Sequence, residues 1–249
     1  VPSSEVQYLR SGSIGWQLNI LDDDINTVIA YVANKNLQEM DQVYYGYTTW
    51  QMEVGRNYTG NNLSGDNANW DDLYKRINSM NIILHELGNV SKSTEQDKMD
   101  AIRVQGECYF LRAQFYLLLV NMYAKAYDPD NAATDLGVPL KLTSCVEDYE
   151  EEGGFSRASV AEVYEQIVAD LKDAVQLLSG YGRKSVYHAS KEAARLFLSR
   201  VYLHMENYEG VINECDSLLK TSLYRLDDYT LIDNPYQSLI TNNSLEVIF

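Results

Sequence analysis

Between Glu192 and Leu219 the chain carries two short amphipathic stretches separated by a tight turn, and this pair constrains the fold more than any other feature. Leu198, Ser199 and Tyr202 share one helical face, and Tyr208, Val211, Cys215 and Leu218 share the next. Ser199 supplies a small residue where two backbones come close, and Asn207 sits at the turn. Large apolar residues at these offsets, with one small one, have the spacing of a tetratricopeptide hairpin. One such hairpin cannot bury its own apolar face, so the pattern implies others stacked beside it. It predicts a helical scaffold that holds something rather than a pocket that performs chemistry.

The same periodicity recurs upstream. Trp70, Leu73, Tyr74, Ile77, Asn81 and Leu84 predict a helix that ends at Gly88, with Trp70 in its core stripe. A longer helix is expected from about Glu95 to Ala124. Its first stripe is Ala101, Val104, Cys108, Leu111, Phe115, Leu118 and Met122, and Tyr109, Arg112, Tyr116, Leu119 and Tyr123 form a second beside it. Two adjacent stripes mean cover on two sides, as in a stacked array. Ser159 and Glu162 form a capping box before the face Val160, Val163, Tyr164, Ile167, Leu171, Ala174 and Leu178. Ser190 caps the helix that opens the hairpin. The connection 127–157 holds Asp128-Pro129, Gly137-Val138-Pro139 and the acidic run Glu147–Glu152, and a link this long is functional or mobile.

The predicted fold is therefore all-α: stacked tetratricopeptide-like hairpins in an α-α superhelix over residues 66–220. An irregular, aromatic-rich arm, residues 1–65, precedes it, with a short helix expected from Asp22–Asp24 through Ala33. Short extended pieces follow in 221–249, at Tyr224–Leu226, Asn234-Pro235 and Leu245–Phe249. The abrupt start at Val1 and the apolar run Glu246–Phe249, which needs a partner strand, read as a single domain truncated at both ends.

Charge narrows the partners. With 20 basic and 36 acidic residues the formal net charge is −16. Nucleic acid binding needs clustered Lys and Arg to neutralise phosphates, and an anionic membrane surface repels such a chain. No stretch approaches the roughly 20 apolar residues that span a bilayer. Twenty tyrosines against five phenylalanines suit wet helix packing and surfaces for polar ligands.

Chemistry finds little purchase. His85, His188 and His204 form no two-His helical pair and read as surface or capping residues, so no metal site is expected. Cys108, Cys145 and Cys215 lack ligand spacing, and Cys108 and Cys215 fall on apolar helix faces. There is no Gly-x-Ser-x-Gly elbow, no phosphate-cradling Gly loop, and no acidic pair singled out for glycoside hydrolysis. No enzymatic activity and no cofactor are expected. Arg112 and Arg200 lie within apolar helices and are expected to form structural ion pairs between neighbouring helices.

The candidate ligand-binding residues are Tyr44, Tyr45, Tyr47, Trp50, Arg56, Asn57 and Tyr58, with Gln51 nearby. Flat rings stack on sugar faces or peptide side chains, while Asn, Gln and Arg supply planar hydrogen-bonding groups. Trp50 and Tyr58 approach a polar loop and are the members expected to be exposed. The alternative is that these aromatics pack the arm onto the helices.

Six segments in series carry a family resemblance. They are Trp70-x-x-Leu73-Tyr74-x-x-Ile77-Asn78-x-x-Asn81; Gly106-Glu107 with Leu111-Arg112-Ala113-x-x-Tyr116; Gly137-Val138-Pro139-Leu140; Ser159-Val160-x-x-Val163-Tyr164-x-x-Ile167-x-x-Asp170-Leu171-x-x-Ala174; Lys191-x-x-Ala194-x-x-x-Leu198-x-Arg200-Val201-Tyr202-Leu203; and Asn243–Phe249. Across Asp66–Phe249 the chain resembles the SusD/RagB family. The resemblance implies a surface-exposed lipoprotein of the Bacteroidetes outer membrane, lipid-anchored through a residue outside this chain. Such a protein captures glycan, without catalysis, for a SusC-like TonB-dependent transporter; some relatives capture peptides. It favours the irregular segment Tyr44–Tyr58 over helix-face tyrosines as the site. The rival reading is a peptide- or protein-binding tetratricopeptide module whose groove is the receptor.

Overall fold

The structure, a computed structural model, describes residues 68–144, 156–182, 185, 187–221, 223–225 and 248. Its regular elements are α1 (Ala68–Glu86), α2 (Glu95–Tyr123), α3 (Val160–Leu177), α4 (Lys191–His204) and α5 (Tyr208–Leu219), and a 3-10 turn, Leu178–Gly180, prolongs α3. Among the described residues there is no strand, and an isolated β-bridge joins Leu136 to Ser159. The fold is helical, as expected. The arm, the short helix expected at 22–33, the acidic run, and nearly all of 226–249 lie outside the described residues. The boundary between two compact units of the chain falls inside α1, between Tyr74 and Lys75.

Caps set where the helices begin. Thr94 Oγ1 accepts from the Asp97 amide at 3.1 Å and Asp97 Oδ2 accepts from the Thr94 amide at 2.9 Å, a capping box at the head of α2. Hydrogen bonds from Thr94 hold the Asp97 carboxyl below its ordinary value. Ser159 and Glu162 do the same for α3, with the Ser159 amide donating to Glu162 Oε2 at 2.7 Å. Ser190 Oγ caps α4 by accepting from the Ala193 amide. Asn207 Oδ1 caps α5 through the Gly210 amide, and Glu206 just before it takes a φ of 56°, which reverses the chain between the two helices.

Packing follows chain order. Tyr164, near the start of α3, donates to Asn121 near the end of α2, and Gly106, in the first half of α2, faces Leu178 just beyond α3, so the two helices run antiparallel. A Cβ on Gly106 would lie 2.8 Å from Leu178 Cγ, which explains the glycine inside a helix. α4 packs on α3 and α5 on α4. Phe197 of α4 meets Phe110 of α2 edge-on, ring centroids 6.0 Å apart. The two-stripe reading of α2 is correct: Cys108, Leu111 and Phe115 from one stripe and Arg112, Tyr116 and Leu119 from the other are all buried. The expected face of α3, from Val160 to Leu178, is buried throughout.

The predicted hairpin forms, with a difference in its second helix. Leu198, Ser199 and Tyr202 of α4 are buried, and Arg195 Nη1 reaches Glu214 Oε2 at 3.3 Å. A Cβ on Gly210 would lie 2.7 Å from Tyr202 Cδ2, so Gly210 is a second small residue at the crossing, one the sequence reading missed. No residue of α5 is buried, and Tyr208 and Ile212 are each 60% exposed. Periodicity identifies the apolar face of a helix; it does not supply a neighbour to cover it.

Two other expectations change. Trp70 is half-buried rather than core, its ring centroid 5.0 Å from that of Tyr74. Arg200 points to solvent, and it is Arg195 that makes the pair across the hairpin.

The described part of the long connection is anchored. Ala132 and Asp135 carbonyls accept from the Ala161 and Val160 amides, satisfying donors left free at the start of α3. The Gly137 amide donates to the Ala158 carbonyl at 2.7 Å. Arg157 donates to the carbonyls of Gly137, Leu136 and Tyr123, tying the end of α2 to the head of α3.

Candidate functional site

A few polar side chains are buried between the helices, and they bond to one another. Arg112 of α2 donates through Nε to Asp170 Oδ2 at 2.7 Å and through Nη2 to Asp170 Oδ1 at 2.6 Å, a bidentate pair with α3. Its Nη1 donates to Asn81 Oδ1 of α1 at 2.8 Å, and its guanidinium lies over the Tyr109 ring at 5.2 Å. Gln166 adds a hydrogen bond to Asp170 Oδ1 at 2.8 Å. Burial works against the Arg112 charge, but the hydrogen bonds and charge of Asp170 outweigh it and hold the guanidinium protonated. The ion-pair reading of Arg112 is therefore right. Asp170 and Asn81 could not be named as its partners from sequence, because they lie 58 and 31 residues away.

The other ionisable groups of the core are equally committed. Burial pushes the Cys108 thiol from 9.0 up to about 12, so it stays protonated at neutral pH and packs as a small hydrophobe. Tyr164 is pushed from 10.0 to about 12, mainly by burial, while its hydroxyl donates to Asn121. Glu107 is buried, with His188 Nδ1 3.4 Å away and Arg103 Nε at 4.0 Å. His188 thus meets a carboxylate rather than only capping a helix end. His85 is exposed beside Glu86, and the His204 ring lies 6.5 Å from that of Tyr164.

A cavity of about 370 Å³ opens beside α4 and α5, lined among the described residues by Leu196, Cys215, Leu218, Leu219, Tyr224, Arg225 and Ile248. The residues expected to bind ligand, Tyr44, Tyr45, Tyr47, Trp50, Arg56, Asn57 and Tyr58, lie outside the described residues.

Comparison with known proteins adds what the helices alone do not give. Residues 17–203 match a SusD-like family model whose description is "Starch-binding associating with outer membrane". A curated relative, SusD-like protein P25 of Formosa agariphila, is 27% identical over 168 residues, which is 67% of this chain and 29% of that protein. A SusD superfamily structure from Bacteroides fragilis superposes with a TM-score of 0.66 at 22% identity, over 90% of this chain and 49% of its own. A SusD-like protein of the same species gives a TM-score of 0.58 at 26% identity, covering 89% and 38%. The chain spans less than half the length of each of these relatives.

Proposed function

The chain belongs to the SusD-like family, and from that membership we propose that it serves non-catalytic capture of a glycan at the outer membrane. The observation that carries this reading is the family match over residues 17–203, which takes in most of the aromatic arm, Tyr44–Tyr58 included, and the helices into α4. The chemistry of the helices supports it. Arg112, Asp170, Asn81 and Tyr164 are engaged in bonds between α1, α2 and α3, which makes these helices a support and leaves recognition to another segment. The arm segment Tyr44–Tyr58 supplies the stacking rings and planar donors that a sugar polymer requires. We place the protein at the outer membrane, held by a lipid anchor, passing its ligand to a SusC-like TonB-dependent transporter.

Starch is the first glycan to test, from the description of the matching family. Affinity electrophoresis of the full-length protein in gels cast with starch and a panel of other soluble polysaccharides should show retardation by at least one of them. No new reducing ends should appear on long incubation. Binding of linear peptides with no retardation by any glycan would replace this reading with the peptide-module one. Co-purification of a TonB-dependent transporter from solubilised outer membranes tests the delivery step separately.

A further inference from the structure

We propose that residues 139–144 form a strap that opens as a unit of its own, latched to the helices by Tyr116 and Asn81. Tyr116 Oη engages both backbone groups of Lys141, donating to its carbonyl at 2.7 Å and accepting from its amide at 2.8 Å. Asn81 Nδ2 donates to the Lys141 carbonyl at 2.9 Å and to the Thr143 carbonyl at 3.2 Å. The orientation of the Asn81 amide is forced. Arg112 has only donors, so the Asn81 oxygen must face it and the NH₂ must face the strap. The bidentate pair of Arg112 with Asp170 therefore sets the direction of the latch, and three helices share in holding one loop.

The directional part of the hold is polar. None of residues 139–144 is fully buried: Leu142 and Thr143 are exposed and Pro139, Leu140, Lys141 and Ser144 are half-buried, so the strap buries less hydrocarbon than the helices beneath it. Upstream, Gly137 and Val138 are pinned to Ala158 through the backbone, with no room for a side chain at Gly137. That pinning gives the strap a fixed root from which to swing. A segment with little apolar burial opens at a lower free energy than the helices beneath it. Opening frees the Asn81 amide, which in the closed state joins the strap to Arg112.

Amide hydrogen exchange on the whole chain tests this. In the unsubstituted protein, amides of 140–144 should exchange through an opening that low urea does not accelerate, whereas those in the middle of α2 and α3 should quicken with urea. Tyr116→Phe, which removes the acceptor for the Lys141 amide, should speed exchange in the strap about tenfold. Leu198→Ala, in α4 and remote in sequence from the latch, should speed exchange in α2 and α3 and leave the strap unchanged. Strap amides that share the urea dependence of α2, or that are untouched by Tyr116→Phe, would overturn the proposal. Should Tyr116→Phe fail to fold, the urea dependence of the unsubstituted protein decides alone.

Discussion

Removing one member of the Arg112–Asp170 pair leaves the other charge buried without its partner, since both side chains are almost wholly enclosed. Arg112→Ala or Asp170→Ala should each cost about 3–5 kcal/mol of stability in urea unfolding at pH 7. Arg112→Met combined with Asp170→Leu should recover part of that loss, because two apolar groups need no pairing, while the buried Asn81 oxygen still loses its donor. Close approach gives a second prediction at this scale. Gly106→Ala and Gly210→Ala place a methyl 2.8 Å from Leu178 Cγ and 2.7 Å from Tyr202 Cδ2, and each should cost about 1–3 kcal/mol. Gly180→Ala, where a Cβ meets nothing within 4 Å, should stay within about 0.5 kcal/mol of the parent in the same assay.

Between helices, the buried acids that stay neutral give the α2/α3 layer a signed dependence on pH. Cys108 and Tyr164 have folded values near 12, above the 9.0 and 10.0 they take in solution. A raised folded value means the stabilising contribution is complete below the unfolded value and is lost as pH climbs to the folded one. Stability should hold to about pH 9 and fall between 9 and 12, each group contributing on the order of 3 kcal/mol. Denaturant midpoints at pH 8, 9.5 and 11 check this, and Tyr164→Phe should flatten the fall. Acid should act in the opposite sense at the helix starts, where the lowered Asp97 and Glu162 carboxyls lose their cap bonds on protonation.

This layer also shows what a sequence can express. α3 was legible almost to the residue, because a capping box and an unbroken apolar face are local patterns. α2 was legible as doubly covered for the same reason. Arg112 and Arg200 look alike along the chain, each inside an apolar helix, yet one is enclosed and the other faces water. The difference lies in Asp170 and Asn81, brought up by tertiary packing that no local period encodes. The anchoring of 128–138 through backbone carbonyls was invisible too, since any residue type offers a carbonyl. The candidate site rests on side-chain chemistry and on the family resemblance, in a stretch with no period to read.

In the molecule as a whole, the proposed division of labour separates support from recognition, and the two should respond independently. Trp50→Ala and Tyr58→Ala should each weaken glycan binding about tenfold, roughly 1.4 kcal/mol, while the melting temperature stays put. Isothermal calorimetry beside thermal unfolding reads both quantities. Loss of binding with an equal loss of melting temperature would mean that the aromatics hold the arm in place instead of gripping sugar. Intact binding in both variants would remove the site assignment while leaving the family's function standing.

The notch that Gly106 offers to Leu178 works like a dovetail, with no space left in it for a further methyl group. Through descent, these two positions should therefore drift as one. Bulk gained at 106 demands bulk surrendered at 178, and a lineage carrying alanine at the first should carry something smaller than leucine at the second.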